Sequence, residues 1–310
     1  MAKRIQTLTG PVDGDSLGLI LPHEHLFTDL RGPLIPGYAQ AEPAAVVKVL
    51  EPYLDEASAV GVTALVECST LGVGRNLTIL SRLAEVSPIK IIAPTGVYRE
   101  AFTPPSVREI GESDLADLWT RELTEGIEGT SIRAGFIKLA MSDDGPTALE
   151  IRNLRAAAKA SQETGAVIAS HTIGGIVAKK EMDVLEEARL DLQQFIWVHA
   201  QTETDLKVLL EAARRGAYLE FDSVGAPHQS QTDLLETTVA LIKAGYADQL
   251  LLSHDAGWYN PARPDGLPED GFRGYTALTK EFIPALLERG ITEEQVRVMT
   301  VFNPARAFAF

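Results

Sequence analysis

The feature that most constrains this chain is a regular alternation of short apolar segments with longer amphipathic ones. Nearly continuous apolar runs of strand length are typical of a parallel sheet that is covered on both faces. The alternation therefore predicts an α/β fold in which right-handed crossovers join the strands. The predicted strands are 18–21, 62–67, 89–94, 134–139, 166–170, 195–198, 217–221 and 249–253, and the predicted helices are 43–59, 77–85, 114–126, 146–164, 177–188, 203–214, 233–245 and 275–289.

Two architectures fit this alternation, a closed (β/α)8 barrel and an open doubly wound sheet. In a barrel, functional residues come from the C-terminal ends of many strands. The candidate residues described below follow the first, fourth, fifth, sixth and eighth predicted strands, which favours the TIM barrel. No linker-like change of composition divides the 310 residues, so we predict a single domain over residues 1–310. The loop 259–273 follows the last strand and is predicted to lie over the barrel mouth.

The candidate functional residues are metal-binding types at strand ends. Two histidines stand two residues apart in PHEH, so their side chains point to the same side of a strand. Other candidates end the motifs GFIK, VIASH, FIWVH and LLLSHD. Because the strand ends of a barrel meet at one rim, we expect all of these side chains to converge. The predicted ligands are His23, His25, Lys138, His171, His199 and Asp255.

This ligand set indicates a pair of divalent metal ions. Imidazole and carboxylate suit zinc, with cobalt, manganese and iron as alternatives. Lys138 is the unusual member, because a protonated amine does not bind metals. A desolvated lysine can lose its proton and add carbon dioxide, and the resulting carbamate can bridge two cations. A hydroxide shared by the cations would then attack a substrate, with Asp255 accepting the proton.

Each of these signals also has a purely structural explanation. A histidine at a strand end is often only hydrogen-bonded, and a buried lysine stem can extend to the rim so that its amine reaches solvent. The combination is harder to explain in this way, because structural residues have no reason to follow successive strands in this order. We therefore interpret the six residues together as a metal centre.

Composition narrows the range of partners. The net charge is −15 and no cluster of Lys and Arg is present, so we expect no nucleic-acid partner. No run of about 18 apolar residues predicts a membrane span, and no apolar run of signal-peptide length follows the first residues. Cys68 is the single cysteine, which suits a reducing compartment. We predict a cytoplasmic enzyme that acts on a small molecule.

The motifs around these residues resemble the phosphotriesterase family of the amidohydrolase superfamily, including its lactonase branch. Similar segments run over nearly the whole chain and include TLTGPVDGDSLGLILPHEH, TLGVGRN, PTGVY, GIEGTSIRAGFIKLA, LLLSHD and MTVFNPARAFAF. The resemblance implies a TIM barrel with a binuclear metal site at its C-terminal face, and a homodimer. It also implies that His23, His25 and Asp255 hold the more buried ion, that His171 and His199 hold the more exposed one, and that carboxylated Lys138 bridges both.

Substrate-contacting residues follow from the resemblance and from proximity in the sequence. Tyr98 in PTGVY matches an aromatic position that lines the substrate pocket in relatives, where its phenol could act in catalysis. Trp258 and Tyr259 follow Asp255, and Phe27 follows His25, so all three are predicted pocket residues. Arg75 lies near the predicted mouth and could bind an anionic group or pair with a local carboxylate.

Two positions depart from the family pattern. Relatives in the lactonase branch have an arginine after the aspartate of strand seven, where this chain has Ser223. Many relatives have an acidic residue shortly after the strand-six histidine, where this chain has Gln201 and Thr202. We expect hydrolysis of a carboxylic ester, with a lactone favoured. The alternatives are hydrolysis of organophosphate triesters, possible as a side activity, and a catalytically idle barrel that only binds a ligand.

Overall fold

A computed structural model of the chain describes residues 3–269 and 271–310. Its central feature is a set of eight parallel strands. They are β1 (Leu19–Phe27), β2 (Val62–Glu67), β3 (Lys90–Ile92 continued by Pro94–Gly96), β4 (Phe136–Ala140), β5 (Ile168–His171), β6 (Phe195–Val198), β7 (Tyr218–Phe221) and β8 (Leu250–Leu252). Each strand pairs in parallel with its neighbour in chain order from β1 to β8.

The strands close into a barrel through contacts between β8 and β1. The backbone N–H of Asp255 donates to the carbonyl of His23 over 3.2 Å, and that of His25 donates to the carbonyl of Ala256 over 3.0 Å. Beyond this seam a short strand, Gly257–Tyr259, pairs in parallel with the end of β1. At Ala93 the third strand is interrupted, so its first half pairs with β2 and its second half with β4. The predicted (β/α)8 barrel is confirmed.

The helices surround the barrel in alternation with the strands. They are α1 (Pro43–Ala59), α2 (Leu77–Val86), α3 (Glu112–Thr124), α4 (Ala148–Thr164), α5 (Gly175–Glu187), α6 (Leu206–Arg215), α7 (Gln231–Lys243) and α8 (Ile283–Glu288). Their ends follow local sequence signals. Thr147 and Glu150 form a capping box at the start of α4, and Gly165 ends that helix with a left-handed φ of 86°.

Shorter elements complete the chain. An antiparallel hairpin of Ile5–Thr7 and Gly10–Val12 precedes the barrel, and a one-turn helix, Pro105–Arg108, precedes α3. A π-helical turn, Leu278–Phe282, leads into α8, and the chain ends in Glu293–Arg297, the π-helical Val298–Phe302 and Asn303–Phe308. The sequence did not predict the hairpin or the last three elements, because their short segments lack a clear helical or strand period. Among the described residues, no helix is both long and apolar enough to span a membrane.

The core forms two layers because side chains alternate between the two faces of each strand. The outer layer lies between strands and helices and includes Trp197 and Phe221. The inner layer fills the barrel from below, where Phe308 contacts Phe136 edge-to-face at 5.4 Å and Ile5 is fully buried beside them. Apolar residues therefore fill the N-terminal end of the barrel, and polar residues can converge at the C-terminal end.

Candidate metal centre

All six predicted metal ligands line one cavity at the C-terminal end of the barrel. The cavity has a volume of about 160 Å³. Its polar lining comes from five different strand ends, which only a closed or strongly curved sheet brings together. The lining residues are His23, His25, Thr28, Leu30, Cys68, Val73, Tyr98, Lys138, His171, His199, Asp255 and Trp258.

One half of the cavity places two imidazoles against a carboxylate. Asp255 Oδ1 lies 3.4 Å from His23 Nε2 and 3.1 Å from His25 Nε2. The candidate ligand atoms of these three residues all lie within 4.8 Å of one another. Burial opposes ionisation of Asp255, but the hydrogen bonds from both histidines hold the pKa of its carboxyl well below its usual range. The aspartate is therefore charged, as a metal ligand must be.

The other half places two imidazoles against each other. His171 Nδ1 and His199 Nε2 are 2.8 Å apart, and the Tyr98 hydroxyl lies 3.3 Å from His171 Nδ1. Burial, reinforced by His199 and Lys138, lowers the pKa of His171 well below its usual range. His171 is therefore neutral at physiological pH, which leaves one ring nitrogen free to bind a cation.

Lys138 lines the same cavity from β4. Its side chain is 1% exposed, and its Nζ is buried without a hydrogen-bond partner in the part of the chain that the structure describes. A buried polar atom without a partner is rare in a folded protein, which indicates that this nitrogen contacts a group that the structure does not contain. A carbamate on this nitrogen would instead present two oxygens to cations held by the histidines. The orphaned amine and the convergent nitrogens thus fit a two-metal centre.

In three of these histidines, the ring nitrogen that points away from the cavity contacts an oxygen atom that can accept a hydrogen bond. His23 Nδ1 lies 2.7 Å from Glu220 Oε1, His25 Nδ1 lies 2.7 Å from Ser69 Oγ, and His199 Nδ1 lies 2.8 Å from Asp222 Oδ1. Such contacts fix ring orientation and leave the inner nitrogen as the ligand atom. The sequence analysis did not identify these three residues.

A second group of possible donor atoms consists of His23, His199 and Asp222. Asp222 is already engaged, because it accepts from the Nδ1 and the backbone N–H of His199 and from Gln201 Nε2. The hydrogen bonds from His199 outweigh burial and lower the pKa of Asp222. Its geometry suits a residue that orients His199 rather than one that binds a cation.

The two departures from the family pattern lie in direct contact. Gln201 Nε2 donates to Ser223 Oγ and to Asp222 Oδ1, both over 2.6 Å. A neutral amide and a hydroxyl thus occupy the places where the resemblance leads one to expect an acidic residue and an arginine. Thr202 lies outside this contact, since its hydroxyl donates to the carbonyl of His199.

The predicted aromatic pocket residues divide into two groups. Tyr98 and Trp258 line the cavity, and Trp258 contacts His25 edge-on at 6.0 Å. Phe27 and Tyr259 instead stack on each other at 6.1 Å in the outer hydrophobic layer. The strand Gly257–Tyr259 pairs with the end of β1 and sets these two rings side by side. The structure therefore does not bring them to the cavity as the sequence analysis expected.

The backbone at the site is held in an unusual conformation. His199, Asp255 and Trp258 have φ values of 64°, 47° and 70°, in the left-handed region that residues with a Cβ rarely adopt. They are three of six such non-glycine residues in the described part of the chain, and all three line the cavity. Such strain persists only where surrounding contacts enforce it, which is typical of functional sites.

Comparison with known proteins places these residues in context. The chain matches the model of the phosphotriesterase family over residues 3–308. It is 31% identical to a phosphotriesterase homology protein of Mycobacterium tuberculosis, over 98% of this chain and 97% of that protein. The structure is similar to the organophosphorus hydrolase from Deinococcus radiodurans, with a TM-score of 0.89, 33% identity and coverage of 98% and 96% of the two chains. It is also similar to a multiply substituted PTE-like lactonase from the same organism, with a TM-score of 0.88, 34% identity and coverage of 98% and 99%.

Proposed function

The chain belongs to the phosphotriesterase family of metal-dependent hydrolases, and from that premise we propose that it hydrolyses a carboxylic ester, with a lactone as its substrate. The observation that carries the proposal is the cavity itself. It combines two groups of ligand atoms with a buried lysine amine that has no hydrogen-bond partner among the residues described. No catalytic serine or cysteine arrangement is needed, because the cavity offers the means to activate water.

We assign the metal ligands as follows. His23, His25 and Asp255 would hold one ion, His171 and His199 the other, and Lys138 as a carbamate would join them. Zinc is the preferred ion for this donor set. When bound, a pair of such ions makes water acidic enough to attack at neutral pH and polarises the carbonyl that is attacked.

The side chains of the chain itself then orient the substrate and move the proton. Asp255 is charged and lies at the cavity wall, so its carboxylate can accept the proton of the attacking water. Tyr98 keeps its phenolic proton, because burial raises the pKa of its hydroxyl, and it can donate a hydrogen bond to substrate oxygen. Trp258 and Leu30 supply apolar wall. A cavity of about 160 Å³ fits a small ring or a short acyl group.

A second candidate is the hydrolysis of organophosphate triesters. The same residues would serve attack at phosphorus, and a similar structure is that of an organophosphorus hydrolase. We rank lactones first because the chain is also similar to a PTE-like lactonase and because a carbonyl needs less space than a triester in this cavity. Triester hydrolysis is then expected as a side activity.

The test is a substrate panel on protein reconstituted with zinc and bicarbonate. Simple γ- and δ-lactones, homoserine lactones and paraoxon are assayed side by side, and metal is counted by elemental analysis. We expect two metal ions per chain and higher kcat/KM for a lactone than for paraoxon. Higher turnover of paraoxon reverses the ranking. Equal hydrolysis by the wild type and the Asp255→Asn variant would support a barrel that only binds ligands. We also propose a homodimer, which light scattering tests independently.

A further inference from the structure

The outward-facing nitrogens of the four candidate histidines do not have equivalent partners. In His23, His25 and His199 this nitrogen faces a carboxylate or hydroxyl oxygen that can accept a hydrogen bond. In His171 it is Nε2, and it lies 2.9 Å from Nη2 of Arg99. A guanidinium group only donates hydrogen bonds. His171 is therefore the one member of the set whose outer partner is a cation.

This difference matters once His171 acts as a ligand through Nδ1, the nitrogen that faces His199. A neutral imidazole that ligates through one nitrogen carries its proton on the other. His171 Nε2 then becomes a donor and cannot accept from Arg99. The nearby carboxylate is that of Asp143, whose Oδ1 lies 3.9 Å from His171 Nε2. At this distance the carboxylate does not accept a hydrogen bond but can stabilise the imidazole N–H electrostatically, while Arg99 loses a hydrogen-bond acceptor.

Arg99 lies where a substrate could supply that acceptor. Its Cζ is 5.5 Å from the centroid of the Tyr98 ring, and both Tyr98 and His171 line the cavity. The Arg99 side chain is 27% exposed, and its Nε is buried without a hydrogen-bond partner among the described residues. Within that part of the chain, the carboxylate that pairs with it is the half-exposed Asp143, at 3.1 Å from Nη1. Arg75, by contrast, pairs with the carboxylates of Glu122 and Glu128 away from the cavity. Of the two roles that the sequence allowed for Arg75, binding an anionic group or pairing with a local carboxylate, the structure shows the second.

We propose that Arg99 determines substrate specificity by binding an anionic group of the substrate, either a carboxylate or a sulfonate. The natural substrate would then be an ester or lactone that carries such a group in addition to the bond that is hydrolysed. The inference rests on the proposed ester hydrolysis and narrows its substrate class. The planar fork of a guanidinium matches two oxygens of such a group. Because the protein carries a net charge of −15, a cation of this kind beside the cavity would offset the repulsion of an anionic substrate.

The first test compares two phenyl esters that differ only at the far end of the acyl chain, which is either charged or neutral. Phenyl hydrogen glutarate carries a free carboxylate, and phenyl methyl glutarate carries a neutral methyl ester in its place. We expect the wild type to prefer the charged ester by about tenfold in kcat/KM, as a charge-assisted hydrogen bond allows. Arg99→Gln should lose this preference mainly through KM for the charged ester, and Arg99→Lys should retain part of it. The exposed Arg214→Gln variant is the matched control, since it lies on α6 and contacts only Glu211.

A binding measurement separates this inference from the proposed function. Calorimetric titration of metal-loaded protein with butyrate, glutarate and 4-sulfobutyrate requires no turnover. Tighter binding of either two-anion probe than of butyrate, lost in Arg99→Gln, supports the role of Arg99 even if no ester is hydrolysed, and the tighter probe identifies the anion. Equal affinities for all three probes in the wild type, or an unchanged preference in Arg99→Gln, overturn it. If Arg99→Gln does not fold, the wild type and Arg99→Lys decide between the same outcomes.

Discussion

Glu181 gives the clearest quantitative prediction of the structure. It lies on α5, is fully buried, and accepts hydrogen bonds from the hydroxyls of Ser170 and Thr172, the residues on either side of His171. Burial raises its pKa from 4.5 to about 8, although the two hydroxyl contacts act in the opposite direction. At neutral pH the folded protein therefore holds a proton on this carboxyl that the unfolded chain has released.

The sign of the effect follows from that difference in proton binding. In the interval between the two pKa values the folded state binds more protons than the unfolded state, so stability falls as pH rises. Each pH unit within the interval changes the free energy of unfolding by about 1.4 kcal/mol. Between about pH 5 and about pH 8 this one carboxyl should remove about 3.5 kcal/mol of stability.

The experiment is urea unfolding of the wild type and of Glu181→Gln across this range. The amide keeps the shape of the protonated carboxyl but does not titrate, so effects of all other groups cancel in the difference between the proteins. The wild type should lose stability relative to the variant as pH rises, by about 3.5 kcal/mol in total. Glu187→Gln, at the exposed end of the same helix, controls for the loss of a helical glutamate. A difference that stays constant with pH would show that Glu181 is solvated or ionised and would refute the reasoning.

Further outcomes concern the metal centre. Lys138→Ala should abolish activity and lower the metal content per chain, and short carboxylates should restore part of the activity by replacing the carbamate; two ions and full activity in this variant would contradict the bridging role. Asp222→Asn should weaken metal affinity about 10- to 100-fold, measured by competition with a chelating dye, because it removes the acceptor that orients His199. Removal of metal by a chelator should abolish hydrolysis and lower Tm, and zinc with bicarbonate should restore both. An unchanged Tm would show that the ions do not stabilise the folded protein.

Much of the barrel could be predicted because its strands are buried on both faces. Continuous apolar runs marked every barrel strand, with boundaries shifted by a few residues. The largest shift is in β1, which was predicted over 18–21 and runs over Leu19–Phe27. The polar motif PHEH interrupts its apolar pattern, since His23 and His25 face the cavity and Glu24 between them accepts hydrogen bonds at the β8–β1 seam. Function thus obscured the strand signal where the ligands lie.

The convergence of the six candidate ligands on one cavity was predictable because their positions depend only on strand ends, which the topology brings together. The residues that contact these candidate ligands were harder to predict. Arg99 follows Tyr98 in a loop, where no period indicates the direction of a side chain, and its contact with His171 spans two strand–helix units. Ser69 reaches His25 in the same way across neighbouring strands. Phe27 misled the prediction because the alternation that holds for His23 and His25 does not hold beyond the barrel rim.

The sequence nevertheless contained one signal of the carboxylates that orient the histidines. Glu220 and Asp222 stand two residues apart in LEFD, as His23 and His25 do in PHEH. Alternate residues of a strand share a face, so both carboxylates enter the interior, where Glu220 holds His23 and Asp222 holds His199. Burial raises the pKa of Glu220, and its Oε2 has no partner.

The carboxylates buried around these strands indicate that the proposed cations would also stabilise the fold. Glu24 and Glu67 are also fully buried beside the site; Glu24 accepts from His254 and Ala256 and so holds the β8–β1 seam, while Glu67 accepts from the backbone of Leu26 and Ser69. Once an imidazole binds a metal ion it must be neutral, and it then no longer compensates a buried carboxylate. Divalent ions at the cavity would supply that compensation, and their binding would therefore stabilise β1 and β7 together with the site that those strands build.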